Sequence, residues 1–429
     1  MIQGLTIREG KGTTYYEIAS GRIWIAGGGI FVSAGGATII NNRIIQNTLT
    51  GKVGAPDVYG AGIAIYPALG ALSPWLVKDD FIGYNTAEGH YLEGGGVWCT
   101  GTGKFLNNTV INNSATAVNT LGPSYYANGG GIGMGEMANI DIQSNYISKN
   151  SCTNEGGGLS CFAVAGSSTV VRFKNNIITE NTSQTHAAAI QINSGDYTFV
   201  NNTIAGNSGP YALGVGAGTG SLSYRMMNNI IWNPLSSVEF NTTAGVSASY
   251  NCARNGLTGT GNIDANPLFI ANDSLYHLSN ASPCIGTGIS FASVGGVALN
   301  APLFDYFNTP RPRAAGSKPD MGAVENDLSS PISFVKDIAE LPTSFALEQN
   351  YPNPFNPTTT IHYSLPSSAK VKLTIHDILG REIVTLVNEE QSAGWKEVLW
   401  NAKDVSSGIY FYKLQAGNFV ETKKMIVVK

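Results

Sequence analysis

A chain of 429 residues with 13% charged residues and a net charge of −4 offers no basic footprint for nucleic acid and no acidic tail. Gly, Asn, Thr, Ser, Ile and Val outweigh the strong helix formers, so the composition reads as almost entirely β. No stretch reaches the ~20 apolar residues of a membrane-spanning helix.

The first residues, MIQGLTIREG, lack a charged segment followed by an apolar run and do not read as a signal peptide. Ile2 and Ile7 instead fit the apolar positions of a repeat that continues down the chain. The expectation is a chain that begins in mid-coil, with earlier coils and a signal peptide upstream.

The repeat is clearest in FKNNIITEN, residues 173–181. Related strings occur at INNRIIQN, DDFIGYN, NNTVINN, SNYISKN, NNTIAGN and NNIIWN. One column reads Asn42, Asp80, Asn108, Asn145, Asn176, Asn202 and Asn229, and two places later it reads Ile44, Ile82, Val110, Ile147, Ile178, Ile204 and Ile231. Asparagine is depleted in strands but tolerates the left-handed conformation of turns. Each Asn pair is therefore expected to form a corner, with Phe173 and Ile178 pointing inward on either side and Asn181 forming the next polar stack.

A second family of strings lies between these copies: GGGIFV, GAGIAI, GGGVWC, GGGIGM, GGGLSC and AAAIQI. Their alternation predicts a strand with one buried and one open face, the open column being Phe31, Ala64, Trp98, Gly133, Ser160 and Gln191. The period varies from about 25 to 38 residues, which suits a parallel β-solenoid whose coils stack about 4.8 Å apart. Such stacking turns the Asn column into a hydrogen-bonded ladder, because an amide both donates and accepts.

The five cysteines show no metal-ligand spacing, and their odd number argues against a full disulfide framework. Cys99 and Cys161 share the inward column two rungs apart, too far to bond, and read as core residues. A Cys252–Cys284 pair is left open.

The position before each Gly-rich string gives Glu93, Asn128, Glu155 and His186. Stacking would bring Glu155 and His186 within contact, and these two with Glu93 are the candidate catalytic groups, His90 lying nearby in sequence. The plainer reading is a solvated polar rim, which is favoured. Phe31 and Trp98, with Tyr66 and Trp75, are candidate exposed rings for stacking on sugars. No metal site is expected, and no acidic cluster supports calcium: Asp79–Asp80, Asp141 and Asp196 stand apart.

After the last clear coil, residues 262–288 and 305–325 carry NPLF…YHL…SPCIGTG and PRP…PDMGAVE. With the repeat, these features resemble the right-handed parallel β-helix proteins of the pectate-lyase-like superfamily, over roughly residues 1–325. The resemblance implies three parallel sheets, an asparagine ladder at a corner and a closing segment. Asp305, Arg311, Arg313, Asp320 and Glu325 are expected to form a buried ion-pair network there.

Residues 326–344 break the pattern and read as a linker. The remaining block, 345–429, opens with FALEQNYPNPFNPTTTI, continues in short alternating strands and frequent turns, and suggests a small β-sandwich. LEQNYPNPFNPTTTI, VKLTIHDILGREIVTLV, GIYFYKL and the basic end resemble the type A C-terminal sorting domain of the type IX secretion system. That resemblance implies export to the cell surface or beyond through the secretion machinery, commonly with removal of the domain and release or lipopolysaccharide attachment of the cargo.

The expected architecture is therefore all-β: a right-handed parallel β-helix over 1–325, closed by 250–325, the linker 326–344 and the sandwich 345–429. A monomeric, non-catalytic binding or scaffold role toward polysaccharide or other surfaces is the leading expectation. The alternative is a secreted polysaccharide lyase or glycoside hydrolase.

Overall fold

The computed structural model describes residues 1–17, 22–33, 36–51, 57–66, 74–118, 126–135, 138–162, 169–215, 222–241, 245–314, 316–331, 342 and 344–428. The chain divides into two units, Met1–Ile332 and Ser333–Lys429. Most of the stretch read as a linker lies outside the described residues. No helix occurs among them.

In the first unit, short strands stack in parallel into two nine-stranded sheets and one eight-stranded sheet, with two further five-stranded sheets. One coil is traced by Val170–Lys174, Ile177–Thr179, Thr182–Ser183 and Ala187–Ile192, each pairing with its counterpart one coil away. Ile2 pairs with Ile39 and Ile7 with Ile44, so the chain enters the repeat at its first residues. The inward column of Ile44, Ile82, Val110, Ile147, Ile178, Ile204 and Ile231 is fully buried. Cys99 and Cys161 lie in the same continuous core, where burial pushes both thiols up, Cys161 to about 12.

The paired asparagines, expected together to make the corner, divide two tasks between them. Asn175, Asn201 and Asn228 take the left-handed backbone, with φ of 52°, 53° and 57°. Their neighbours Asn176, Asn202 and Asn229 form the ladder. Asn176 Nδ2 donates to Asn202 Oδ1 at 2.9 Å and to the Ile142 carbonyl at 2.8 Å, while Asn176 N also donates to Asn202 Oδ1 at 3.0 Å. Each buried amide is thus satisfied by the coils on both sides.

A second ladder runs through Asn47, Asn85, Asn113, Asn150, Asn181, Asn207 and Asn233 at the next corner, with the same pattern. Asn181 was expected to stack, but the remainder of this column was not read from the sequence. Gly-rich turns follow it. A Cβ at Gly131 would lie 2.5 Å from the Gly158 carbonyl oxygen and 3.0 Å from the Asn150 amide, so the second ladder and the next coil leave no room for one.

The closing segment returns along the outside of the last coils. Met321, Cys284 and Ile285 pack with Ile230 and Cys252, and Val294 and Leu299 of a short hairpin pack on Val200 and Met227. Asn175 Nδ2 donates to the Phe304 carbonyl, Asn201 Nδ2 to the Asp320 carbonyl and Asn228 Nδ2 to the Ile289 carbonyl. The left-handed asparagines therefore face outward and fasten the segment.

Of the expected ionic network, Arg311 and Glu325 are fully buried and paired at 2.8 Å. Arg311 Nη1 also donates to Asn175 Oδ1, tying the network to the corner. Asp305 accepts from the backbone of Phe307, Thr309 and Glu325, and Asp320 from Gly286 and Asn326. Burial raises Asp320 to about 6 and Glu325 to about 7. Arg313 differs from expectation: its side chain turns outward to pair with exposed Asp327.

The second unit is two antiparallel sheets. Ala346–Leu347, Thr358–Leu365 and Gly394–Asn401 form one; Glu382–Gln391, Ala369–His376, Gly408–Ala416 and Phe419–Val427 form the other. Leu347, Ile361, Tyr363, Leu373, Tyr412, Leu414 and Met425 form its core. Asn350 N donates to the Tyr412 hydroxyl, and Asn353 Oδ1 accepts from Ile426 N, which pins the Asn-Pro run to the sheets.

Candidate functional site

From Ile63–Ile65 to Ala187–Ile192 both faces of the Gly-rich strands are buried, which corrects the expectation of an open column there; in the first, Phe31 is half-buried. Ala64, Trp98, Ser160 and Gln191 are each at most 4% exposed. In the early coils the cause is an aromatic cover. The antiparallel strands Thr13–Glu17 and Arg22–Ala26 bring Tyr15 and Trp24 onto Phe31, Tyr66 and Trp98.

Trp98 is thus a packing residue, and half-buried Phe31 meets Tyr15 edge-on at 5.5 Å. Tyr66 stacks on Trp98 at 5.7 Å, and Trp75 is buried with its indole N–H on the Thr100 carbonyl. The inward column was read correctly, but the open face was not, because the covering hairpin went unseen.

Glu93 belongs to the same cluster. It is 5% exposed, accepting from Trp98 Nε1 at 2.8 Å and from the Tyr91 hydroxyl at 3.2 Å. Stacking continues from Glu93 to Asn128 and from Asn128 to Glu155. Glu155 and His186 are brought together as expected, with Oε1 and Nε2 3.9 Å apart. Thr185 Oγ1 lies 2.8 Å from His186 Nδ1, and the Tyr211 ring meets the imidazole edge-on at 6.3 Å. Burial raises the Glu155 carboxyl, with His186 opposing the shift.

This pair can hold or exchange one proton. Hydrolysis by two opposed carboxylates needs a second acid, and Glu93 stands two coils away with both oxygens engaged. Among the described residues no group of three or more His, Cys, Asp or Glu is disposed around a possible metal ion. Asp141 pairs with Arg172 and Asp196 with Arg225.

A different concavity, about 840 Å³, opens where the closing segment leaves the first corner. Its floor is built by adjacent coils: Asn107, Gln143 with Ser144, and Lys174. Backbone bonds from Asn107 N to Gln143 O and from Ser144 N to Lys174 O fix their spacing at one coil each. Phe304 and Phe307 form the opposite wall, 47% and 46% exposed, and the second is stacked on His277 at 5.2 Å.

Lys174 has no ion-pair partner among the described residues. Asp305 lies at the edge, but its oxygens are occupied by backbone N–H groups. The sequence concealed this cleft because its two walls are about 130 residues apart and Phe304 and Phe307 lie in no repeat.

A search of curated proteins and a search of solved structures find no match. Residues 349–428 match the family described as secretion system C-terminal sorting domain, which supports a secreted or cell-surface protein that engages the secretion machinery.

Proposed function

We propose that the β-helix is a non-catalytic binding module, displayed at or released from the cell surface, that holds an extended polysaccharide in the cleft between the first corner and the closing segment. The observation that carries this reading is the cleft's composition. Amide, hydroxyl and ammonium groups repeat at about one coil spacing of 4.8 Å on one wall, and two half-exposed rings form the other. Hydroxyl-rich chains match such a surface through hydrogen bonds below and ring stacking above. Lys174 favours a saccharide bearing carboxylates. The binding unit is proposed to act as a monomer.

The test is a binding screen of the purified full chain against neutral and acidic polysaccharides, with unsaturated-product absorbance and reducing ends followed in parallel. Binding without turnover is expected. It should be lost in a Phe304→Ala/Phe307→Ala variant and retained in Glu155→Gln. The second reading, a lyase or glycosidase, rests on the Glu155–His186 contact. Turnover that disappears in Glu155→Gln or His186→Ala would replace the first reading with the second.

A further inference from the structure

Five cysteines are all unbonded and buried in the structure, yet their surroundings separate them into two groups. Cys99 and Cys161 lie in the inward column with Met134 between them. Cys152 sits at another sheet, its thiol donating to the Ala127 carbonyl at 2.7 Å. None of these three faces another thiol one coil away.

Cys252 and Cys284 differ. Both are 0% exposed within one apolar cluster with Ile230, Leu278, Ile285 and Met321.

The backbone around each thiol is anchored independently. Cys252 pairs with Ile230 of the preceding coil and bridges to Ile263, while the Cys284 carbonyl accepts from Met321 N at 3.0 Å. One thiol thus belongs to the last coil and the other to the segment folded back over it. A bond between two thiols that share one cluster needs the sulfurs brought to the usual S–S length of about 2.05 Å. Small side-chain rotations can supply that. The sorting domain directs the chain out of the reducing cytoplasm, into compartments where such bonds persist.

We propose that Cys252 and Cys284 form a disulfide in the exported protein, a staple that joins the closing segment to the last coil. The two thiols give up two protons and two electrons to an external small-molecule or protein disulfide, which departs as two thiols. Exchange proceeds through a thiolate, and the neighbouring Cys252 thiol together with burial holds the Cys284 thiol well above its ordinary range. The bond therefore forms before the closing segment seals the cluster, and once sealed it is shielded from reductants.

The experiment uses the secreted full chain, denatured without reductant and alkylated. Three alkylated cysteines, a mass two hydrogens lower than the fully reduced chain and a linked peptide pair containing Cys252 and Cys284 are expected; five alkylated cysteines would overturn the proposal. The count should rise to four in Cys284→Ala and fall to two in Cys99→Ala. A count of four in Cys99→Ala would show that the bond needs Cys99 and sink this pairing. Reduction of the folded protein in mild denaturant should speed proteolysis within 262–325 by about tenfold or more. An unchanged rate would refute the staple.

Discussion

Asp80 accepts two hydrogen bonds from Asn42, at 2.6 Å from its backbone nitrogen and 2.9 Å from Nδ2, and both fall on a single carboxylate oxygen. The other oxygen, Oδ2, is buried without a partner. In the neighbouring rungs that position is a donor: Asn108 Nδ2 bonds the Val77 carbonyl and Asn145 Oδ1. Asp80 thus places an oxygen where the ladder supplies acceptors, and burial raises its carboxyl.

Replacing Asp80 by Asn should stabilise the first unit by about 1–3 kcal/mol at neutral pH, the cost of an unsatisfied buried group. The folded pKa lies above the unfolded one. Asp80's favourable contribution is therefore present below the unfolded pKa and is lost as pH rises through the folded value. Chemical denaturation of Asp80→Asn and the parent at pH 4 and pH 8 should show the larger gain at pH 8. An equal gain at both values would argue against proton-dependent satisfaction of Oδ2.

The two residues of an Asn pair should respond differently to truncation. Asn176→Ala removes a ladder amide and strands donors and acceptors in both adjoining coils, costing about 2–4 kcal/mol in denaturant unfolding. Asn175→Gly keeps the left-handed backbone easily and loses only the bonds to Phe304 and Arg311. Its effect should appear as faster hydrogen exchange in 304–325, with the coils unchanged.

Arg311 and Glu325 lie at the centre of the closing network with neither exposed. Arg311→Met alone should cost about 3–5 kcal/mol by leaving a buried carboxylate unpaired, and adding Glu325→Leu should recover much of it. Asp320 and Glu325 are raised to about 6 and 7 by burial. Their protonated forms favour folding, so this contribution is full below the unfolded values and fades as pH climbs through 6 to 7. The melting temperature of the full chain should drop from pH 5 to pH 8, and an Asp320→Asn/Glu325→Gln variant should flatten that slope.

Gly131→Ala should destabilise by about 1–3 kcal/mol or prevent folding, because the added methyl meets the Gly158 carbonyl at 2.5 Å. Ala188 and Ala189 provide the internal contrast. They occupy the corresponding places in a later coil, where the strand register shifts between Ala187 and Ile190. A soluble Gly131→Ala protein with parental stability would show that the turn can yield.

What the sequence revealed was whatever recurs. Columns such as Ile44 to Ile231 and Asn42 to Asn229 betray coil stacking, because identical environments select identical side chains. Contacts between repeated and unrepeated segments leave no such trace. Trp98 looked exposed because Tyr15 and Trp24 come from a hairpin with no counterpart in other coils. The Phe304 and Phe307 wall was equally invisible. Glu155 and His186 were brought together as stacking required, but only the structure revealed that Glu93 is held by Trp98 and Tyr91.

The second ladder has a direction. From Asn47 onward, each side-chain N–H points to the oxygen of the following coil. Seven aligned amides make a small electrical column, positive at its far end, and there Asn233 donates from N and Nδ2 to the two oxygens of Glu239. A carboxylate accepts but cannot pass the pattern on, and Arg254 neutralises it at 2.9 Å. Glu239 is thus a chemical full stop: replaced by Gln, it would turn an N–H toward the donors of Asn233 or Arg254 where a carboxylate oxygen now accepts.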